Sequence, residues 1–224
     1  MVVDPDSRMT QLGLVPVCEP ENYFHFPSRS AGVPLDNLTD LTNRWLQRTF
    51  GVTGTAYVAP QPPAVEVAHP MVAVSMGVGD NETKRIAGDF EADLLRALSR
   101  NYQTIWVDRG AGGEEAHRVT AAVEASGAAD RVRFWEGSFA GFVSIVAQSD
   151  FYVGYDSAGR HAAAAAAVPL ISIFKGAVSD VFRHRWAPKG PGNRTVLNAD
   201  KISPGEVLNE IRQYLHRRLT ETRS

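Results

Sequence analysis

Residues 151–174 read FYVGYDSAGRHAAAAAAVPLISIF, and this stretch decides the fold. A short apolar run at 151–154 ends in a small-residue turn. A helical stretch over 157–167 follows, then a second buried run at 169–174. Strand, crossover helix and strand in immediate succession form a βαβ unit, which pairs its strands in parallel. The six alanines at 162–167 suit a helix that must lie close to a sheet, because small side chains leave little between them.

The same alternation extends outward in both directions. Upstream, MVAVS at 71–75 reads as a buried strand followed by the tight turn Met76-Gly77, and TIWVD at 104–108 and VRFW at 132–135 are further strands. Between them, Phe90, Leu94, Leu95 and Leu98 mark one face of a helix over 90–100, and a helix over 114–126 is closed by Gly127. Ser138 is placed to cap a helix running through Phe142, Ile145 and Val146 to Gln148. Downstream, a short strand at 195–197 precedes a helix over 204–218. There Pro204 suits the first turn after Ser203, and Val207, Leu208, Ile211, Tyr214 and Leu215 share a face. The pattern predicts an α/β fold, a doubly wound parallel sheet of Rossmann-like type.

The first 68 residues follow no such pattern. A strand at 2–4 and a helix over 36–50, ending at Gly51, are separated and followed by proline-rich pieces. Pro60-Gln61-Pro62-Pro63 reads as an extended linker. The expected division is therefore a partial N-terminal segment plus linker at 1–68 and a Rossmann-like domain at 69–224. No internal repeat is present.

Composition narrows the function. The chain has 224 residues, 44% hydrophobic and 21% charged, which is ordinary for a globular protein. With 23 Lys plus Arg against 25 Asp plus Glu the net charge is −2, and a dedicated nucleic-acid or membrane-surface binder would carry a basic excess. The single cysteine, Cys18, offers no internal disulfide and no cysteine-rich zinc site, and it fits a reducing cytoplasm. The longest uncharged apolar stretch, 162–174, falls short of the roughly 20 residues that span a bilayer. Residues 1–8 do not read as a signal peptide.

In open parallel sheets, ligands bind beyond the carboxyl ends of the strands, and the free N–H groups of a helix's first turn attract anions there. Ser157, Ala158 and Gly159 leave such amides accessible to a phosphate, Ser157 adds a hydroxyl, and Arg160 and His161 add nitrogen donors. The alternative is a turn in which Asp156 or Ser157 merely caps the helix.

At this point the residues resemble the family 9 glycosyltransferases, the heptosyltransferase family. Residues 156–169 (DSAGRHAAAAAAVP) follow the family's order of Asp, Ser or Thr, two small residues, any residue, His, a small-residue helix and Val/Thr-Pro. Thr83-Lys84-Arg85, Gly112-Gly113-Glu114-Glu115, Phe174-Lys175-Gly176 and Trp186-Ala187-Pro188 resemble further motifs in the same order. The chain departs at Lys175, where glycine is usual, and after Arg85, where no tryptophan follows. The resemblance spans about residues 71–219.

It implies the C-terminal domain of a GT-B glycosyltransferase that is inverting and metal-independent and needs no cofactor besides its nucleotide-diphosphate sugar, an ADP-linked one by analogy. Ser157, Ala158 and Gly159 would cradle the diphosphate, and Lys84 would neutralise the leaving group. Glu114 or Glu115 would bond the ribose hydroxyls, Asp156 would lie near the donor sugar or cap the helix, and His161 would sit beside the phosphates. Each has a plainer alternative: Lys84 in a solvated loop, Glu114 and Glu115 complementing a helix dipole, His161 as a core histidine.

The family's acceptor domain opens on a strand and glycine-rich loop that 1–68 do not match, so the expectation is an N-terminally truncated chain holding the donor half. Asp4 and Asp6 are candidate bases only by default. Expected partners are a nucleotide sugar, a glycan or lipid-linked acceptor and a separate chain that could supply the acceptor domain. Nucleic acid and a transmembrane segment are not expected. The expected location is the cytoplasm, with a peripheral place at the inner membrane left open. The competing reading is an inactive remnant acting as a binding module. A Rossmann dehydrogenase is excluded because Gly77-Val78-Gly79-Asp80-Asn81-Glu82 lacks the third glycine of that fingerprint.

Overall fold

A computed structural model describes all residues except 15–17, 30–35, 55–67, 80, 111, 177–178 and 222–224. The proline-rich linker expected at 60–63 lies outside the described residues. The chain divides into two compact units, one of Met1–Ala56 with Ser179–Ala187, the other of Tyr57–Val178 with Pro188–Ser224.

The smaller unit holds β1 (Val2–Pro5) and β2 (Tyr23–Phe26), paired in parallel, with the short α1 (Arg8–Gln11) and the longer α2 (Leu38–Phe50). Among its described residues from 1 to 56, only Phe26 and Leu41 are large apolar side chains buried in full. Phe24, Phe26, Trp45 and Phe50 form a ring cluster with centroids 4.7 to 5.4 Å apart. Asn37 accepts from the Thr39 amide at 2.9 Å, capping α2, while its Nδ2 donates to the carbonyls of His184 and Ala187. Those carbonyls belong to the end of α7 (Asp180–Trp186), a helix that the sequence reading did not anticipate. It assigned these residues by motif to the second domain, whereas Ser179–Ala187 belong to the first unit.

The larger unit is a six-stranded, all-parallel sheet. Its strands are β3 (Met71–Ser75), β4 (Thr104–Asp108), β5 (Val132–Trp135), β6 (Phe151–Tyr155), β7 (Leu170–Phe174) and β8 (Arg194–Asn198), in spatial order β5-β4-β3-β6-β7-β8. Successive side chains point to opposite faces. Val72, Val74, Ile105, Val107, Val153 and Ile171 pack against α3 (Phe90–Leu98), α4 (Gly113–Ser126) and α8 (Pro204–Glu221). Ala73, Tyr152 and Leu170 face the other way, onto α5 (Phe139–Gln148) and α6 (Ala158–Ala165). On that side Ala162, Ala163 and Ala164 are the buried face of α6, as the alanine run implied.

Caps close the helices where the sequence places them. Ser138 accepts from the Gly141 amide at 3.2 Å, and Gly127 ends α4 at φ +68°. Ser203 and Glu206 form a reciprocal capping box at the start of α8.

Two halves of the sheet wind in opposite directions from β3. The chain steps outward through β4 and β5, then returns to place β6 on the other side of β3. The gap between β3 and β6 at their carboxyl ends is the topological switch point, where open α/β sheets hold their ligands. No described helix is long and apolar enough to cross a membrane.

Candidate functional site

Across the carboxyl edge of the sheet, Trp135, Asp108, Ser75 and Gly154 stand in register on β5, β4, β3 and β6. Three strand spacings of about 4.8 Å set this edge at roughly 14 Å. Above it opens a cleft of about 350 Å³, within the size range of small-ligand sites. Asp156, Ser157, Ala158 and Gly159 line one end, and Asp108, Glu115 and Phe139 line the other.

At the first end α6 begins. Ser157 is its N-cap residue in an extended conformation, yet its side chain makes no capping bond. Its hydroxyl lies 3.4 Å from the Tyr152 hydroxyl instead. Asp156 does not cap either: it pairs through Oδ1 with Arg160, and its Oδ2 lies 3.2 Å from Lys84 Nζ. The merely capped turn is therefore not what forms, and the first amides of α6 carry no side-chain partner. Gly159 lets the helix start so close to the sheet. A Cβ there would lie 2.5 Å from the Tyr152 hydroxyl and 2.9 Å from Ser75 Oγ.

Lys84 arrives from the crossover after β3. Asn81 accepts from the Thr83 amide and hydroxyl, bending 82–84 into a single 3₁₀ turn. Gly176, at φ +62°, packs on that turn, and a Cβ there would sit 2.7 Å from the Thr83 carbonyl. The Lys84 side chain is 29% exposed; it does not itself line the cleft, but Asp156, which does, holds its ammonium 3.2 Å away.

Arg160 does not serve as a donor in the cleft, as its position in the first turn had suggested. It is 2% exposed, turned inward, and spread 4.3 Å from the centroid of the Phe174 ring, with Nη1 3.4 Å from Ser172 Oγ. It anchors Asp156, which in turn places Lys84. His161 is half-buried and does not line the cleft. Burial, and then the positive charge of Arg160, hold its ring down at about 4, so it is neutral at pH 7.

At the far end the two candidate glutamates separate. Glu114 is exposed and off the cleft, whereas Glu115 lines it and accepts from the Val78 amide at 3.0 Å. Gly77 and Gly110 make room for this carboxylate, since a Cβ at either would collide with it. A phase argument finds the same answer: Glu115 lies one turn before the buried Val119 and shares its face, and Glu114 does not. Asp108 and Phe139 were missed, although Asp108 closes a predicted strand at the edge where ligands bind. Phe139 is 49% exposed, unusual for a phenyl ring inside a concave site.

In the smaller unit, Asp4 is fully buried. Burial by itself would raise its pKa, but bonds from Thr10 Oγ1, the amides of Met9 and Thr10 and the Tyr23 hydroxyl outweigh that and hold it at about 2. It ties β1, α1 and β2 together. Asp6 is likewise engaged, by Ser28 Oγ and the Arg29 amide, which together outweigh burial and lower its pKa. Both carboxylates are thus tied into the hydrogen bonding of the smaller unit.

The fold is that of the heptosyltransferase-type glycosyltransferases. Heptosyltransferase WaaC of E. coli, solved with ADP-2-deoxy-2-fluoro heptose, matches with a TM-score of 0.65 at 16% identity over 96% of this chain and 72% of that one. A family 9 glycosyltransferase of Veillonella parvula gives 0.64 at 12% identity over 87% and 63% of the two chains. E. coli ADP-heptose LPS heptosyltransferase II gives 0.53 at 20% identity over 69% and 49%. The chain thus spans about half to three quarters of the length of these proteins. No family model and no curated protein matches the sequence.

Proposed function

We propose that the larger unit binds a nucleoside-diphosphate sugar and serves as the donor-binding part of a family 9-type glycosyltransferase. One observation carries this reading: the groups along the sheet edge follow the order of such a ligand. Phe139, which follows β5, is an exposed ring available to a base; Glu115, over β4, accepts from ribose hydroxyls; the open amides of Ser157, Ala158 and Gly159, beyond β6, cradle the diphosphate. Lys84 turns from Asp156 toward the diphosphate and neutralises charge as it leaves, which electrophilic assistance by a metal accomplishes in other sites.

Asp156 orients Lys84, and Arg160 fixes Asp156 from beneath. An ADP-linked donor fits the structural neighbours, one of which is a WaaC complex with ADP; inversion at the sugar carbon rests on the motif resemblance alone. The acceptor in this reading is a glycan or lipid-linked glycan at the cytoplasmic side.

Isothermal titration of the full chain with ADP, GDP and UDP tests the proposal. At least one should bind, and Lys84→Ala should weaken it by roughly 10- to 100-fold, the worth of one charge-assisted contact. Indifference to all three nucleotides, or an unchanged affinity in the variant, contradicts it.

A further inference from the structure

Resting on that reading and extending it, we infer that Asp108 is a second ligand-contacting carboxylate. With Glu115 it grips a vicinal diol and makes the cleft selective for ribonucleotides over their deoxy and 2′-phosphorylated counterparts. Asp108 is the last residue of β4, in register with Ser75, so its side chain stands at the middle of the sheet edge and lines the cleft. Its Oδ1 accepts from the Gly110 amide at 3.1 Å, and among the described residues nothing donates to Oδ2. Glu115 meets the same glycine: its Oε2 is taken by the Val78 amide, and its Oε1 lies against Gly110. Two acceptor-only groups thus converge over one backbone turn, each with an oxygen to spare.

Groups of this kind, half-withdrawn from water, call for donors. The neighbouring cations are committed elsewhere: Lys84 and Arg160 to Asp156, and Arg118 to Glu91 and the Met76 carbonyl. Among the described residues no group of three acids, histidines or cysteines gathers to hold a metal ion. A diol supplies two O–H donors and adds no charge, and it lies between base and diphosphate in a ribonucleotide. Burial, reinforced by the Glu115 charge, raises the Asp108 carboxyl, and a further negative group beside the pair would meet the same burial and repulsion. A 2′-phosphate would meet two carboxylates and be rejected.

The test is a cycle of protein and ligand deletions on the full chain. The nucleoside diphosphate that binds tightest among ADP, GDP and UDP is titrated beside its 2′-deoxy and 3′-deoxy forms, into wild type and Asp108→Asn. Wild type should lose about tenfold for at least one deoxy form, and the variant should lose about tenfold for the parent nucleotide but discriminate that deoxy form less than threefold. Thermal unfolding of the variant identifies a folding defect, and a folded Asp108→Asn that binds the parent nucleotide and discriminates the deoxy form as wild type does overturns the role of Asp108. Wild-type binding of all three forms within twofold overturns the inference and leaves the donor reading standing. Binding of none of the parent nucleotides overturns the donor reading itself.

Discussion

Replacing Arg160 with methionine probes how the cleft is held open. The guanidinium is 2% exposed, pairs with Asp156 and lies 4.3 Å from the Phe174 ring centroid. Removing one partner of a buried pair costs about 3–5 kcal/mol when the other is left uncompensated. Asp156 keeps Lys84 at 3.2 Å, which compensates part of its charge, and methionine restores apolar contact with the ring. The lost cation–π contact adds back about 1 kcal/mol. The expected cost is therefore about 2–3 kcal/mol.

Amide hydrogen exchange in β6 and β7 reads this directly, because opening of the larger unit exposes those strands. Protection there should fall roughly 30- to 150-fold, and nucleotide affinity should drop about tenfold as the Asp156–Lys84 pair loses the guanidinium that fixes it. A change under about 0.5 kcal/mol with nucleotide affinity intact would refute the claim that Arg160 positions the site.

Two other perturbations address the remaining parts. The His161 ring titrates near 4 in the folded chain against 6.5 when unfolded, so the unfolded chain takes up the proton first and stability falls as pH drops through that window. Denaturant unfolding at pH 7 and pH 5 should show His161→Gln losing about 2 kcal/mol less than wild type across the interval, and equal losses would contradict the burial argument. Gly110 sits at φ +76° against Glu115, so Gly110→Ala meets both backbone strain and a collision with that carboxylate. It should destabilise the fold by about 1–2 kcal/mol and weaken nucleotide binding several-fold by displacing Glu115, both measurable by thermal shift with and without ligand.

Much of this fold was legible because its signals are local. The alternation in Met71–Ser75 sends Val72 and Val74 to one face and Ala73 to the other, and the caps at Ser138, Ser203 and Gly127 work within a few residues of themselves. What escaped depends on partners distant in sequence. The direction of Arg160 is set by Phe174 and Ser172 on the next strand, and nothing within its own helix reveals that they offer a ring face and a hydroxyl. The membership of α7 is set by Asn37, more than a hundred residues earlier. Asp108 and Glu115 fall between these cases. Strand end and helix phase pointed at each of them, but only the glycines at 77 and 110 show that a carboxylate is seated there.

The most direct measurement is an amide-resolved NMR titration of the full chain with a nucleoside diphosphate. Saturable shifts should gather on the backbone N–H signals of Ala158 and Gly159, with smaller ones at Val78 and Gly110, and Lys84→Ala should push saturation to higher concentration. Signals at the start of α6 that stay still while the nucleotide binds elsewhere would contradict the account.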